Sequence, residues 1–274
     1  MNCKVSIVMG IHNCESTLAE SIDSIISQSF EDWELVMCDD GSSDSTLMVA
    51  KNYQKLYPER IILLENEKNI GLSKTLNKCI ENSRGEYIAR MDGDDISCPN
   101  RLKKEVEFLD DNTEYSFVST RTTIFDENGI LGSTSVIENP TVNDLIFNST
   151  CFCHAACMIR REALLDVGCY STDDVFRRYE DCNLWHKLYG KGYKGHNINE
   201  SLYLIREGKS AYKKRGFKAR KNGAYVRYVG FKLMGIPSKY FYVIIYQFFR
   251  DFVLGFMPIP IYKFFHKKKL KNNK

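Results

Sequence analysis

The 274-residue sequence has no low-complexity linker and no internal repeat, which argues against an array of repeats or tethered modules. No basic segment followed by an apolar one precedes the first strand-like run, so we expect no secretory signal. Nowhere do about 20 apolar residues follow one another, the length that a membrane span needs. With 43% hydrophobic residues, the chain can still bury a full core.

The ten cysteines do not have the pattern of a disulfide-bonded domain. They are scattered along the chain, and Cys3 and Cys38 fall in or near strand-like segments, where a free cysteine packs as a small hydrophobic side chain. A disulfide framework is typical of short secreted chains. We therefore expect reduced cysteines and a cytoplasmic protein.

The small net charge of +3 conceals an uneven distribution of charge. Residues 206–274 contain 18 Lys and Arg and only two acids, Glu207 and Asp251, whereas the first 205 residues contain 20 basic and 33 acidic residues. The body is therefore strongly acidic and the tail strongly basic. This separation predicts different partners for the two parts.

Short apolar runs alternate with helical patterns through the first 120 residues. The predicted strands are Val5–Met9, Glu34–Cys38, Ile61–Leu64, Tyr87–Met91 and Tyr115–Ser119. The predicted helices begin near Ser16, Asp44 and Ser73. This alternation indicates βαβ units and a mainly parallel sheet.

The pattern loosens after Thr120. Arg121–Ile137 predicts a hairpin around Glu127-Asn-Gly129, and His154–Arg161 predicts a strand that returns to the sheet. A helix is predicted over Tyr179–Tyr189, opening with two acidic residues.

Polar and acidic residues follow three of the predicted strands. Asn13 follows the first, Asp39-Asp-Gly-Ser42 the second, and the acidic part of the segment RMDGDDISCPNR the fourth. Three like charges within four positions, Asp92, Asp94 and Asp95, repel one another. They are either a solvated turn or the ligands of a cation. Because ligands of parallel sheets bind beyond the carboxyl ends of the strands, we favour a binding site.

Four segments follow one another in a characteristic order: VSIVMGIHN (5–13), WELVMCDDGS (33–42), DGDD (92–95) before CPNR (98–101), and Glu180-Asp181 before Leu184-Trp185. Together they resemble the family 2 glycosyltransferases, which are inverting enzymes with a nucleotide-binding fold called GT-A. The later part of the chain, with Tyr193-Lys-Gly-His-Asn and Pro258-Ile-Pro-Ile-Tyr262, resembles the subgroup that builds bacterial capsule and biofilm exopolysaccharides.

The resemblance implies an α/β GT-A fold, with a mainly parallel central sheet, flanking helices and a helical, basic C-terminal segment. It implies a catalytic domain over residues 1–205. Residues 1–120 would be the nucleotide-binding half and residues 121–205 the acceptor half, followed by the tail 206–274.

The resemblance also implies a divalent metal, Mg²⁺ or Mn²⁺, because charge builds on the leaving diphosphate of a sugar nucleotide. Asp94 is the implied direct ligand, and Asp92 contacts the metal or the ribose. Asp95 either joins them or caps the next helix. Asp40 is the implied acceptor of a hydrogen bond from uracil, with turn chemistry as the alternative. Asn13 and Lys74 complete the implied donor site, Lys74 near the diphosphate.

Asp181 matches the family's general base, which takes a proton from the acceptor hydroxyl. The alternative is that Glu180 and Asp181 only stabilise the N-terminus of a helix. Glu180 is interpreted as a neighbour that orients the site.

His154 lies within CFCHAAC, where three thiols and an imidazole suggest zinc. The spacing is not that of a zinc knuckle, and the resemblance places this histidine near the acceptor or the leaving diphosphate. A packed core histidine is the remaining alternative. Arg178, with Arg177, either reaches phosphate or a lipid-linked acceptor or is a solvated pair.

The tail is aromatic and basic. Tyr240–Phe249 is apolar, but Arg250-Asp251 interrupts it, so we expect no membrane span. Phe248, Phe249, Phe252, Phe256, Phe264 and Phe265 beside Lys267–Lys269 favour a segment lying on an anionic membrane surface. The alternatives are a helix packed on the catalytic domain and nucleic-acid binding, and no recognised nucleic-acid module supports the latter.

The sequence therefore predicts a metal-dependent inverting glycosyltransferase at the inner face of the cell membrane. It would move a sugar from a nucleotide donor, UDP-linked in our prediction, to a lipid-linked or oligosaccharide acceptor of an exopolysaccharide. The alternative is a protein-binding regulator that retains the fold and acts through its basic tail.

Overall fold

The computed structural model describes residues 3–148, 151–208 and 217–256, with single positions at 260, 261, 265, 268 and 270. The strands are β1 (Val5–Ile11), β2 (Trp33–Asp39), β3 (Ile61–Glu65), β4 (Tyr87–Arg90), β5 (Ile96–Ser97), β6 (Phe117–Asp126), β7 (Gly129–Ser133), β8 (Met158–Arg160) and β9 (Gly195–Arg206). The helices are α1 (Leu18–Ile26), α2 (Thr46–Leu56), α3 (Leu72–Glu81), α4 (Arg101–Asp111), α5 (Val142–Phe147), α6 (Arg161–Asp166), α7 (Glu180–Gly190), α8 (Phe217–Leu233) and α9 (Tyr242–Phe256).

The strands form one sheet in the order β3-β2-β1-β4-β8-β6-β9-β5, with β7 paired to β6. The half built from β3, β2, β1 and β4 is parallel, as predicted, because a helix joins each strand to the next. The other half is mixed. β8 runs antiparallel to both β4 and β6, while β6 and β9 are parallel.

The sheet separates two apolar layers. Val5, Ile7 and Met9 of β1 face a core that α1 and α4 cover, with all three side chains buried. Val8, on the opposite face, packs in a second core with residues of α3, α6 and α7 such as Leu76. This alternation along one strand is expected when helices cover both faces of a sheet.

Two segments differ from their predicted forms. The predicted strand Tyr115–Ser119 and the first arm of the predicted hairpin are one continuous strand, β6, which turns into β7 at Gly129 (φ 113°). His154–Arg161 was predicted as a strand, but His154–Ala156 is a short 3₁₀ helix and only β8 is extended. The helical turn satisfies its backbone locally, through Ala156 N donating to Cys153 O at 3.2 Å.

From Phe217 on, the described tail up to Phe256 is largely helical, as predicted, and packs on the rest of the protein, whereas Arg206 still belongs to β9. Helix α8 lies against α7 so closely that a Cβ atom on Gly230 would stand 1.9 Å from His186 Nδ1. The inner side of α9, including Val243, joins a core cluster with Phe231 of α8 and Ile146 of α5. No helix among the described residues is both long and apolar enough to cross a bilayer. The division at residue 205 stays a prediction.

Candidate active site

The loops that carry the predicted site follow strands ending at one edge of the sheet. Ile11 of β1 pairs with Asp39 of β2, and Val8 pairs with Arg90 at the end of β4. The chain segments after these strands are therefore neighbours. The loop after β4, residues 92–95, is fixed to α1 by the Thr17 hydroxyl, which donates to Gly93 O at 3.0 Å, and by the Ser21 hydroxyl, which donates to Asp95 O at 2.7 Å.

Asp92, Asp94 and Asp95 converge in this loop. One carboxylate oxygen from each lies within 4.8 Å of the others, and among the described residues this is the group of carboxylate, imidazole or thiol ligands that could hold a metal ion. Asp92 is paired with the buried Arg90. Asp95 is buried and accepts a hydrogen bond from Arg206 N at 2.8 Å. Asp94 is exposed and makes no ion pair within the described chain.

The electrostatics of the three aspartates fit a divalent cation. Desolvation, followed by the charges of Asp92 and Asp94, raises the pKa of Asp95 to about 8. Partial desolvation by the surrounding protein and the charge of Asp92 also raise the pKa of Asp94, although this residue keeps an exposed face. The ionised cluster is therefore undercompensated by the protein, and its hard oxygen ligands match Mg²⁺ or Mn²⁺. Asp94 and Asp92 would hold the ion.

A cleft of about 260 Å³ opens at the same edge of the sheet. Its lining includes four of the predicted site residues, Asp40, Lys74, Arg178 and Glu180. The other predicted residues lie outside this lining: Asn13, Asp92, Asp94, His154 and Asp181. Arg90 interacts with residues of both groups. It forms an ion pair with Asp92, and its positive charge acts to lower the pKa of Glu180 and of His154.

The two adjacent aspartates after β2 have different environments. Asp39 stabilises the turn, accepting hydrogen bonds from Ser42 N at 3.0 Å and from the Ser42 hydroxyl at 2.5 Å. Asp40 instead holds the wall of the cleft, accepting from Ile70 N at 2.8 Å and Gly71 N at 3.0 Å. Turn chemistry therefore describes Asp39, while the contact of Asp40 with a nucleobase stays a prediction.

Asn13 connects two loops. It adopts the left-handed conformation (φ 50°), which asparagine tolerates well. Its Oδ1 accepts a hydrogen bond from Ser43 N at 2.9 Å, and its own N–H donates to the Ser42 hydroxyl at 3.0 Å. These bonds join the segments after β1 and β2, and the predicted donor contact of Asn13 is untested.

Glu180 and Asp181 begin α7, as predicted. The Asp181 carboxylate accepts a hydrogen bond from Cys182 N at 2.7 Å, a backbone N–H in the first turn of α7, as expected of a residue that stabilises the start of this helix. Burial, and then the charge of Asp181, raise the pKa of Glu180. Arg178, which precedes this helix at the cleft rim, has a left-handed backbone (φ 68°), a conformation that is strained for a non-glycine residue.

His154 forms a hydrogen bond with a residue that the sequence did not suggest. Its Nε2 lies 2.7 Å from the hydroxyl of Tyr170, which is buried. Burial and the charge of Arg90 lower the pKa of His154 well below its ordinary value, so the ring is neutral near pH 7. The neutral imidazole and the tyrosine hydroxyl can each donate or accept a hydrogen bond without adding charge.

Sequence reasoning missed Arg90, Tyr203 and Arg206. Arg90 stands two positions before Asp92, and this adjacency was a usable signal. Tyr203 and Arg206 lie more than 100 residues from the aspartates that they contact, with Tyr203 Oη accepting a hydrogen bond from Asp92 N at 3.2 Å. Only the pairing of β9 with β5 brings them there.

Curated proteins that are similar to this chain are named as glycosyltransferases. EpsE of Bacillus subtilis (strain 168), described as a glycosyltransferase, is 40% identical over 272 residues, which cover 99% of this chain and 96% of EpsE. WfgD of Escherichia coli, a UDP-Glc:alpha-D-GlcNAc-diphosphoundecaprenol beta-1,3-glucosyltransferase, is 34% identical over 144 residues, covering 53% of this chain and 55% of WfgD.

Solved structures of glycosyltransferases share the fold. TarS residues 1–349 of S. aureus in complex with UDP-GlcNAc superposes with a TM-score of 0.67 at 18% identity, covering 84% of this chain and 70% of that chain. The mannosyltransferase PcManGT of Pyrobaculum calidifontis, in complex with GDP-Man and Mn²⁺, gives 0.59 at 20% identity, covering 85% and 64%. These likenesses confirm the expected GT-A fold.

The family assignment agrees with the fold and with the convergence of the three aspartates. The model of the family described as "Glycosyl transferase family 2" matches residues 6–168, more than half of the chain. The chain therefore belongs to glycosyl transferase family 2, and its activity is glycosyl transfer.

Proposed function

We propose that this enzyme transfers a sugar, with inversion, from a UDP-linked donor to a hydroxyl of a lipid-linked glycan during exopolysaccharide or capsule assembly. The observation that carries the proposal is the convergence of Asp92, Asp94 and Asp95 within 4.8 Å beside a cleft at the carboxyl edge of the sheet. The UDP-sugar and diphosphoundecaprenol in the name of WfgD support the donor and acceptor classes.

On this proposal the donor lies in the cleft. Asp40 faces the base, and Lys74 and Arg178, both exposed at the cleft, offer positive charge to the diphosphate. A Mg²⁺ or Mn²⁺ ion held by Asp94 and Asp92 would neutralise charge on the departing phosphate oxygens. Arg90 pairs with the Asp92 carboxylate and orients it.

The acceptor reacts from the side of α7. Its hydroxyl oxygen forms a bond to the anomeric carbon, its proton passes to the Asp181 carboxylate, and the bond from carbon to the diphosphate oxygen breaks. The nucleoside diphosphate leaves with that electron pair, and attack from the opposite face inverts the configuration. Glu180, which lines the cleft, orients the acceptor through hydrogen bonds, and the role of His154 near the acceptor or the diphosphate, where it is held by Tyr170, stays a prediction.

Thermal stability provides the direct test of the donor. We expect the correct UDP-sugar with Mn²⁺ to raise the thermal midpoint by about 5 °C, because a ligand at 100 times its Kd stabilises the native state by about 2.7 kcal/mol. The measurement is differential scanning fluorimetry across UDP-, GDP- and TDP-sugars. Mn²⁺ alone and each sugar nucleotide with a chelator serve as controls. Equal midpoints with and without every nucleotide would contradict donor binding.

We further propose that the outer side of α9 lies on an anionic membrane. Its large apolar side chains Tyr242, Ile245, Tyr246, Phe249, Val253 and Phe256 are each 59–70% exposed and recur at helical spacing along one face. Of the phenylalanines predicted for this role, Phe249, Phe256 and Phe265 are exposed, whereas Phe248 and Phe252 are half-buried. Phe264 and the Lys267–Lys269 run, apart from Lys268, lie outside the described residues.

The charge of the surrounding residues supports an anionic lipid surface as the partner of this face. Residues 217–256 contain seven Lys and Arg and one acid, Asp251, which pairs with Arg227 at 3.6 Å and Arg250 at 2.9 Å. On α8 an exposed stripe places two tyrosines, Tyr225 and Tyr228, between two lysines, Lys221 and Lys232. Aromatic side chains flanked by lysines suit the headgroup region of an anionic bilayer, at the cytoplasmic face in this proposal.

We expect Phe249→Ser with Val253→Ser to weaken binding to phosphatidylglycerol vesicles by at least about tenfold. Burying one large apolar side chain contributes about 1.5–3 kcal/mol, and about 1.4 kcal/mol is a factor of ten. Sedimentation with vesicles at low and high salt measures the effect. The matched control is Met48→Ser with Leu56→Ser, on α2, where the side chains are 60% and 71% exposed.

Unchanged vesicle binding in the α9 variant would contradict the membrane role of this face. A parent protein that ignores vesicles but forms a defined complex through α9 would favour the protein-binding alternative. Substitutions are preferable to truncation at Ser238, because the inner side of α9 belongs to the core: Gln247 Nε2 donates to Phe147 O at 3.0 Å.

A further inference from the structure

The loop of the three aspartates is held from two sides. Thr17 and Ser21 hold it on one side, and the end of β9 holds it on the other. Arg206 Nε donates to the Asp94 carbonyl oxygen at 2.9 Å, and Arg206 N donates to Asp95 Oδ1 at 2.8 Å. One residue therefore fixes the backbone of one aspartate and the side chain of the next. Its Nη2 donates to the carboxylate of Glu20 of α1.

Arg206 is itself held in place by its surroundings. The guanidinium carbon lies 4.5 Å from the centre of the Phe125 ring, over the strand beside it. Its side chain is 26% exposed, so most of it is packed between β6, α1 and the aspartate loop. The planar guanidinium can donate in several fixed directions at once, which the ammonium group of lysine cannot reproduce.

We propose that Arg206 is a positioning residue, which sets the backbone of the Asp92–Asp95 loop so that the three carboxylates converge on a divalent cation. This inference rests on the proposed metal-dependent transfer. Arg206 would not contact the ion or the sugar. Its guanidinium would act through the Asp94 carbonyl, as partners of ligands do in metal sites, whereas the bond from its backbone N–H to the Asp95 carboxylate does not depend on the side chain.

If only the charge of Arg206 mattered, removing this side chain would have the opposite effect on Mn²⁺ affinity from the loss of positioning. A cation near a cation site repels the incoming ion, so losing its charge should strengthen Mn²⁺ binding. Loss of positioning should weaken Mn²⁺ binding, because the carboxylates would move apart and the loop would have to become ordered when the ion binds. The sign of the change therefore distinguishes the two effects.

We expect Arg206→Ala to bind Mn²⁺ about 10–100-fold more weakly, the range typical for loss of a group that orients a ligand. Arg206→Lys, which keeps the charge, should also bind more weakly but recover part of the loss. Electron paramagnetic resonance of free Mn²⁺ measures the affinity, with Mn²⁺ alone and with Mn²⁺ plus UDP. Lys55→Ala, an exposed cation on α2, is the control and should equal the parent.

Hydrogen exchange of the metal-free proteins gives a second measurement that needs no ion. Faster exchange confined to residues 92–97 in Arg206→Ala, at an unchanged thermal midpoint, would support positioning. Mn²⁺ affinity that stays equal or rises, or exchange that matches the parent, would overturn it. If the parent binds no Mn²⁺, the proposed metal dependence fails, and the exchange data alone decide whether Arg206 fixes the loop.

Discussion

Asp94→Asn should reduce sugar transfer by about a thousand-fold or more and remove the dependence of donor binding on Mn²⁺. Asp94 is the exposed member of the three aspartates and makes no ion pair within the described chain, so its charge is available to an incoming ion. Stabilisation of a leaving group by a metal contributes several kcal/mol, and each 1.36 kcal/mol corresponds to a factor of ten in rate. Asparagine keeps the size of the side chain but loses the charge.

Stability separates this effect from a folding defect. Without metal, Asp94→Asn should have a thermal midpoint equal to or above the parent's, because one of the carboxylates that repel one another is gone. Calorimetry of UDP binding with and without Mn²⁺ measures the loss of linkage. Asp111→Asn, an exposed carboxylate at the end of α4, should behave as the parent. Parental transfer rates in Asp94→Asn would show that the metal site is assigned to the wrong residue.

The position of the aspartate loop could be predicted from sequence because it depends on local order. An apolar strand followed at once by carboxylates places them at the carboxyl edge, whatever the rest of the fold does. The same reasoning could not assign separate roles to Asp39 and Asp40. Their difference depends on Ile70 and Gly71, 30 residues away, which supply the donors for Asp40.

The contacts from the second half of the sheet were not predictable from patterns. Tyr203 and Arg206 reach the loop because β9 pairs with β5 at Ser97–Tyr203 and Ile96–Leu204, a register that no sequence periodicity encodes. Likewise the exposed apolar face of α9 could be located only once its inner residues, such as Val243, were seen to pack on α5 and α8. Composition identified an apolar, basic tail but not which side of each helix was buried.

The last expected result concerns the base. Asp181→Asn should lower kcat by about 10²–10⁴-fold while leaving donor and Mn²⁺ affinities near the parent's, the range typical for loss of a general base. The substitution is selective because an asparagine Oδ1 can still accept the hydrogen bond from Cys182 N, which Asp181 accepts at 2.7 Å. This hydrogen bond at the start of α7 should therefore survive the substitution.

Because the variant keeps this hydrogen bond, the result distinguishes the two roles of Asp181. If it only stabilises the start of α7, the asparagine variant should keep both its thermal midpoint and its kcat. If it is the base, only kcat should fall, because a neutral amide cannot take the proton of the acceptor hydroxyl. Asp166→Asn, an exposed carboxylate at the end of α6, is the control for the loss of one negative charge. Lost UDP-sugar affinity in calorimetry, with kcat retained at saturating donor, would instead assign Asp181 to donor binding.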